Sequence, residues 1–582
     1  MNDRLRATSR VLALTAALAC ALPAAAADRP LGDQRLEALA TRYFDAVWKM
    51  DPNRATRTGV HAYDDKLTDL SAAGFNERIA FARKTLADVR AIDANTYGAD
   101  ASYDARMLEA SLESILLQLQ TRQTWRHDPS FYTGQASSAV YGLLTRDFAP
   151  LKDRVHSTIA RERQIPAMLE HARENVTAVD ATTGEIARGN MRGTLTFFQS
   201  VVPAAVAKVN DKALAAQFKT ANDAAVAAIG AYVAAMEAGP LAHPSGTYAI
   251  GPQTFERMLE LQELSPITLA QYERVGSAAL AKTKADFVET AKKIDPSKPA
   301  EAVAAALGVQ HPAGDMLLKA AGDDLVALRK FVIAHKIVTL PPDNDVKVVA
   351  TPEFARATTF ASMNSPGALE KVATEAYYNV TPVETDWTPE RKEQHLAFFN
   401  NYAFPIVSLH EVMPGHYVNF ALDKHERLSL IRRLLASSSF AEGWAHYDEQ
   451  MMVDEGWGNG DPRVRLAQLR LALQRECRYL VGLREHTQGM SVADGTKFFR
   501  ENAFLAEEPA HREALRGTQD PLYGYYTLGK LELLKLRDDY KTKMGSKYSL
   551  LLFHDEFLAH GDPPISIVRK IMLGADDDGK LL

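Results

Sequence analysis

The period of the apolar residues is what most limits how this chain can fold. From about Leu31 to His335, and again from about Pro389 to the end, apolar side chains recur at three- and four-residue intervals. That is the pattern of helices that bury one face. "LGDQRLEALATRYFDAVWKM" is amphipathic and is closed by Asp51-Pro52. The same periodicity runs from Ser102 to Gln123. It continues through "DRVHSTIARERQIPAMLEHARENV" and "DKALAAQFKTANDAAVAAIGAYVAAMEA", where alanine suits close helix packing. It breaks at Gly239-Pro240 and His243-Pro244-Ser245-Gly246. Only the stretch from about 337 to 383 departs from it. There "IVTLPPDNDVKVVATPEF" and "EAYYNVTPV" carry β-branched and aromatic runs bounded by Pro and Asn, which predict short strands of a small sheet. The expected fold class is mainly α with one small β-sheet. An N-terminal helical region, 28–240, joins a second region, 241–582, in one unit. The acidic run Asp576 to Asp578 is expected to be a solvated tail.

Residues 1–27 have the form of an export signal. Arg4, Arg6 and Arg10 precede "VLALTAALACALPAAA", and "AAAAD" offers a small-residue cleavage site after Ala27. Leu18 and Ala19 make a poor lipid-attachment signal around Cys20, so lipid anchoring is not expected. No later segment is long and apolar enough to span a bilayer. The chain has 582 residues, 46% hydrophobic, with 67 basic and 73 acidic side chains. A net charge of −6 and the lack of a basic run argue against nucleic acid as a partner. With Cys20 in the signal, Cys477 is left alone. No disulfide and no cysteine-based zinc site can form. Helical spacing with Leu466, Leu469, Leu473 and Leu480 makes Cys477 a core residue.

The segment "SLHEVMPGHYVNF" carries chemistry. In the familiar H-E-x-x-H pattern two histidines share one helix face. Here His410 and His416 are six positions apart, about 600° on an ideal helix, and would face different ways. Pro414 and Gly415 lie between them. Proline has no N–H for the His410 carbonyl and crowds that turn, and glycine accepts angles that other residues avoid. A break there can absorb the extra residues and turn both rings to one point. A catalytic zinc site takes three protein ligands. In "SSSFAEGWAHYDEQMM", Glu442, His446 and Glu449 share one face of a helix that Ser437 to Ser439 can cap. A carboxylate or an imidazole from this face could complete the site. Glu442, first on the face, is the better choice, with His446 one turn deeper.

"HEVMPGHYVNF" followed by "FAEGWAHYDEQMM" resembles the family called domain of unknown function 885. That family is itself similar to the gluzincin metallopeptidases, relatives of angiotensin-converting enzyme and the thermostable carboxypeptidases. "DPNRATRTGVHAYDDKLTDLS", "GPQTFERML" and "DPLYGYYTLGKLELLKLR" are similar to further family blocks, so the resemblance covers most of the chain after the signal. It implies a two-lobed helical metallopeptidase-like fold with a deep cleft. It implies His410, His416 and Glu442 as ligands of Zn2+, and Glu411 as the general base that takes a proton from water. Tyr526 would donate to a developing oxyanion, and Arg516 would bind a substrate carboxylate or the oxyanion. His486 matches a family histidine. Gly482 stands where the family has aspartate, and the block at Pro521 to Gly524 is one residue short. These departures leave the placement of His486, Tyr525 and Tyr526 open.

The function expected is that of an exported zinc-dependent hydrolase cleaving peptide bonds of short peptides. "YYNVTP" is expected to receive an extended peptide by strand addition. Two alternatives stay open: a zinc hydrolase of a non-peptide amide or ester, and a non-catalytic binding protein on the same helical shell. Oligomeric state is not readable.

Overall fold

The computed structural model describes residues 29–341, 346–352, 356, 359–422 and 427–582. The signal-like segment with Cys20 lies outside them. The described residues form helices joined by short loops and one three-stranded sheet, so the fold is mainly α. The local reasons are those of the sequence. The helix Leu31–Met50 stops where Asp51 becomes the cap of the next one, accepting the Arg54 N–H, with Pro52 in its first turn. Among the described residues no helix is long and apolar enough to cross a membrane.

The helices that bear on the site are α1 (Ala99–Leu117), α2 (Pro252–Glu263), α3 (Phe404–Glu411), α4 (His416–Leu422), α5 (Ser438–Asp454), α6 (Pro462–Thr487), α7 (Glu507–Gln519) and α8 (Tyr525–Met544). The sheet contains β1 (Val346–Ala350), β2 (Ala361–Asn364) and β3 (Ala376–Val380) in the order β1–β3–β2. β3 runs parallel to β1 and antiparallel to β2, with Tyr378 opposite both Val348 and Met363. This corrects the expectation for "YYNVTP". β3 is central, so its backbone donors and acceptors face strands already in place and cannot receive a peptide. The outer edges of the sheet belong to β1 and β2, and β2 packs beside α3.

Leu409, Val412, Met413 and Val418, around the two histidines, share one core with Phe440, Trp444 and Tyr447 of α5 and Tyr378 and Val380 of β3. The histidine segment is therefore held by close packing on several sides. A second core joins Phe255 and Leu259 of α2 to Leu473, Cys477 and Leu480 of α6. Cys477 is fully buried there, and burial pushes its thiol pKa well up. A third core lies within residues 70–241. A fourth joins Leu36 and Phe44 of the first helix to Leu108 and Leu112 of α1, and to Ile431 and Ile567 near the other end of the chain.

The acidic run near the C-terminus is not a free tail. Arg569, 2% exposed, pairs with Asp577 at 2.6 Å, Asp578 at 2.8 Å and Asp539 at 2.5 Å. A buried guanidinium needs such partners, since leaving it unpaired costs several kcal/mol. Arg569→Ala should lower unfolding stability by about 2–3 kcal/mol through lost packing and stranded carboxylates. Lys580→Ala, at a position with a mostly exposed side chain, should change it by less than about 0.5 kcal/mol. Equal denaturation midpoints for the two variants would contradict this role.

Candidate metal centre

α3 ends at Glu411, and α4 begins at His416. Between them Val412 leaves helical geometry, with φ −121° and ψ −75°, and the Met413-Pro414 peptide is cis. Gly415 serves differently from the expectation. It is not in the left-handed region. Its backbone instead lies so near α3 that a Cβ would stand 1.9 Å from the His410 carbonyl oxygen. The Gly415 N–H donates to the Leu409 carbonyl at 3.0 Å. The indole N–H of fully buried Trp444 donates to the Pro414 carbonyl at 3.0 Å, which ties the turn to α5. Ser437 caps α5 by accepting the Phe440 N–H, and Glu442 follows one turn later.

These elements bring His410, His416 and Glu442 together. One candidate ligand atom from each lies within 4.8 Å of the others. Glu442 Oε2 is 3.3 Å from His416 Nε2 and 3.7 Å from His410 Nε2. The imidazole rings stand at 83° with centroids 4.8 Å apart. Both histidines are buried, and Glu442 keeps one quarter of its side chain exposed. Glu442 Oε2 is buried without a hydrogen bond, an arrangement that normally has an explanation such as an ion. Two imidazoles and a carboxylate are a donor set that zinc accepts, so the residues present fit that metal.

Behind the cluster stands Glu449, to which sequence reasoning assigned no role beyond its place on the Glu442 face. Its Oε1 lies 2.8 Å from His410 Nδ1, its Oε2 lies 3.1 Å from His446 Nδ1, and Arg475 pairs with it at 2.7 Å. The contact with Glu449 occupies His410 Nδ1 and leaves Nε2 facing Glu442. A carboxylate on the far nitrogen of a ligating histidine fixes the tautomer and ring direction in metal sites. Burial alone would depress the His410 pKa. The Glu442 and Glu449 carboxylates outweigh it and push it up to about 9. Burial opposes ionisation of Glu442 too, yet the two imidazoles hold its carboxyl well below the usual range. His446 is pushed down to about 3, chiefly by burial, and is neutral.

Glu411, half-buried, ends α3 beside the cluster. Tyr378 of β3 lies near it. Burial first, then the Glu411 charge, push the Tyr378 phenol pKa well up. The Tyr378 hydroxyl is 3.1 Å from Ser408 Oγ, which donates to Asp324 at 3.0 Å. On the other side, Tyr526 is 7% exposed and accepts a hydrogen bond from Arg516 at 3.3 Å. Burial first, then the Glu442 charge, raise its pKa, so the phenol stays protonated and can donate. The guanidiniums of Arg475, Arg478 and Arg516 lie 5.7, 5.2 and 5.9 Å from its ring centre. Sequence reasoning missed Arg475 and Arg478. The one available signal was that these two, i and i+3, share one face of a helix that carries six arginines.

The structure gives positions to the three residues whose placement the sequence left open. Tyr525 turns to Asp520, bonding at 3.0 Å, and leaves Tyr526 to face Glu442 and the arginines. His486 is not brought to the cluster by its contacts. It is 1% exposed, bonds the Gly517 carbonyl at 2.8 Å and meets the ring of Tyr248 edge-on. Burial pushes its pKa down to about 4, and these contacts tie α6 to α7. Gly482, where an aspartate was expected by resemblance, lies under Tyr523. A Cβ there would meet that ring at 2.8 Å.

Residues 52–572 match the model of the family described as bacterial protein of unknown function, DUF885, and the chain belongs to that family. Among the curated proteins none matches. A candidate lipoprotein of unknown function from Shewanella oneidensis has a similar structure, with TM-score 0.78 and 26% identity, covering 92% of this chain and 99% of its own. A candidate lipoprotein from Colwellia psychrerythraea shares the fold with TM-score 0.77 at 16% identity, covering 94% of this chain and 99% of its own.

Replacing Glu449 with Gln should reduce zinc affinity about 10- to 100-fold, the usual effect of losing such a supporting carboxylate. Competition titration against a chromogenic chelator measures it. Unchanged affinity would mean that Glu449 does not orient His410.

Proposed function

We propose that this family member is an exported zinc-dependent hydrolase that cleaves peptide bonds, as in the gluzincin metallopeptidases its motifs resemble. The observation that carries the reading is the convergence of His410, His416 and Glu442, with Glu411, a carboxylate that metal binding alone does not require, next to His410 at the end of α3. His410 and His416 would hold the ion through Nε2, and Glu442 through Oε2. When bound, zinc polarises a carbonyl and makes water a stronger acid.

The remaining work falls to the chain's own side chains. Glu411 takes the proton from the attacking water and passes it to the leaving amine. The Tyr526 hydroxyl, held by Arg516, donates to the oxyanion as charge develops on it. The outer edge of β2, beside α3, is the place for an extended peptide to align its backbone. Export rests on the N-terminal sequence and on the Shewanella neighbour, described as a candidate lipoprotein. That description supports no argument against a lipid at Cys20.

Glu411→Gln keeps side-chain size and removes basicity. It should retain near-stoichiometric zinc while kcat falls at least about 10²-fold and KM changes less, since a general base acts on the transition state. His416→Ala should lose zinc and turnover together. Zinc content and turnover of one cleavable peptide, measured on both variants, decide the matter. Wild-type turnover by Glu411→Gln would refute the mechanism. Loss of its zinc would make Glu411 a ligand or a support.

A further inference from the structure

The segment "DPNRATRTGVHAYDDKLTDLS" takes no part in the metal centre, yet His61 within it makes a contact that crosses 309 positions of the chain. Its imidazole lies between two carboxylates. Nδ1 is 2.9 Å from Asp64 Oδ2, and Nε2 is 2.9 Å from Glu370 Oε2. Glu370 belongs to the loop 365–375 that joins β2 to β3. A neutral imidazole has one N–H and one lone pair, so it can donate to only one carboxylate and turns its lone pair on the other. The imidazolium donates to both. The ring also stacks on Phe148, with centroids 3.7 Å apart. One quarter of the His61 side chain is open to solvent, so its proton can exchange.

The loop is shaped to lie against the residues around His61. The Leu369 N–H donates to the Thr58 carbonyl at 2.9 Å. Gly59, at φ +97°, packs so close that a Cβ would stand 2.4 Å from the Glu370 nitrogen, and a Cβ on Gly367 would stand 2.4 Å from the Arg57 carbonyl oxygen. Two backbones therefore meet with no side chain between them. Glu370 Oε1 accepts the N–H groups of Lys371, Val372 and Ala373 at 2.9, 2.8 and 3.2 Å, so one carboxylate both orders the loop and meets the imidazole. Arg146 grips the two ends, donating to the Asn364 and Glu375 carbonyls at 2.8 and 2.9 Å. The strands so joined flank α3. β2 packs beside it, and the Tyr378 hydroxyl of β3 is 3.1 Å from Ser408.

We propose that His61 is a proton-operated clasp: its imidazolium pins the loop 365–375 to the N-terminal helices, and loss of the proton releases it. Burial alone would depress the His61 pKa. The two carboxylates outweigh it and raise it above the ordinary 6.5. The other charges nearby act on its partners. Arg161 lies 4.0 Å from Asp64, whose Oδ1 also accepts from Thr56. Arg146 feels the Glu370 charge. Arg154, paired with Asp147, stands 5.9 Å from the Phe148 ring. A group whose folded pKa is raised gives stability that is complete below its unfolded value and is lost as pH rises through the folded one. The loop is therefore held below about pH 6.5 and freed in alkaline solution. Neither metal nor turnover enters into the clasp.

The test is amide hydrogen exchange of the full-length protein, read by mass spectrometry over the loop between about pH 5.5 and 9 and corrected for the intrinsic pH dependence of exchange. Wild-type protection of the loop should fall at least about 10-fold across this range, the worth of one charge-assisted hydrogen bond. His61→Gln has no titrating ring and should show no such fall. Glu370→Gln should reverse the sign. Its amide oxygen still accepts the three backbone N–H groups, while its NH2 donates to the lone pair of a neutral ring and opposes the N–H of an imidazolium. Loop protection in Glu370→Gln should therefore be about 10-fold higher in alkali than in acid, a gain that misfolding cannot produce. Exchange in α8, remote from the loop in sequence, checks that each variant folds. Wild-type protection that does not change with pH would overturn the clasp, whatever the variants do. So would a fall that persists in His61→Gln, or a folded Glu370→Gln that keeps the wild-type sign.

Discussion

The site depends on a close backbone contact that only glycine permits. Two histidines six residues apart cannot face one another on a continuous helix. In this chain the helix ends at Glu411, is interrupted from Val412 to Gly415, and starts again at His416. The interruption brings Gly415 against the His410 carbonyl, where a Cβ would stand 1.9 Å away. Leu409, Val412, Met413 and Val418 bury it, and the Trp444 indole bonds its Pro414 carbonyl. Without that contact His416 would point away from His410, and Glu442 would have one imidazole instead of two.

A second constraint is charge. His410, Glu449 and His446 are almost out of water. A buried ionised group is tolerated only when it is paired. Glu449 meets this by spanning His410, His446 and Arg475, and Arg478 is spent on Glu513 at 2.6 Å. The packing that makes the site rigid is thus the packing that sets its protonation. The same carboxylates that push His410 to about 9 compete with any ion through the proton they retain, because a ligating imidazole must be neutral.

Much of this was legible in the sequence, and the limits have physical causes. Helices and the strand-bearing stretch follow from periodicity and β-branched runs, which are local. The Pro414-Gly415 break was readable because two residues with special backbone chemistry sat where the helix had to fail. The choice of Glu442 over His446 agrees with the geometry: Glu442 faces both histidines, whereas His446 turns to Glu449. Strand order was not readable, since which strand lies in the middle depends on pairing across the chain, so "YYNVTP" was assigned an edge it does not have. The role of Glu449 depends on where α5 passes α3, and that of Arg475 on how α6 faces both, neither of which periodicity encodes. Asp577 and Asp578 looked like a tail because their partner, Arg569, is buried by the tertiary packing of its helix, which nothing in the acidic run itself reveals.

That His410, His416 and Glu442 together hold zinc is most directly tested by a crystal structure of the zinc-loaded protein with anomalous data on both sides of the zinc absorption edge. A single strong peak should lie about 2.0–2.2 Å from Nε2 of both histidines and from an oxygen of Glu442. A crystal soaked in zinc that shows no peak there, or a peak held by other residues, would contradict the account.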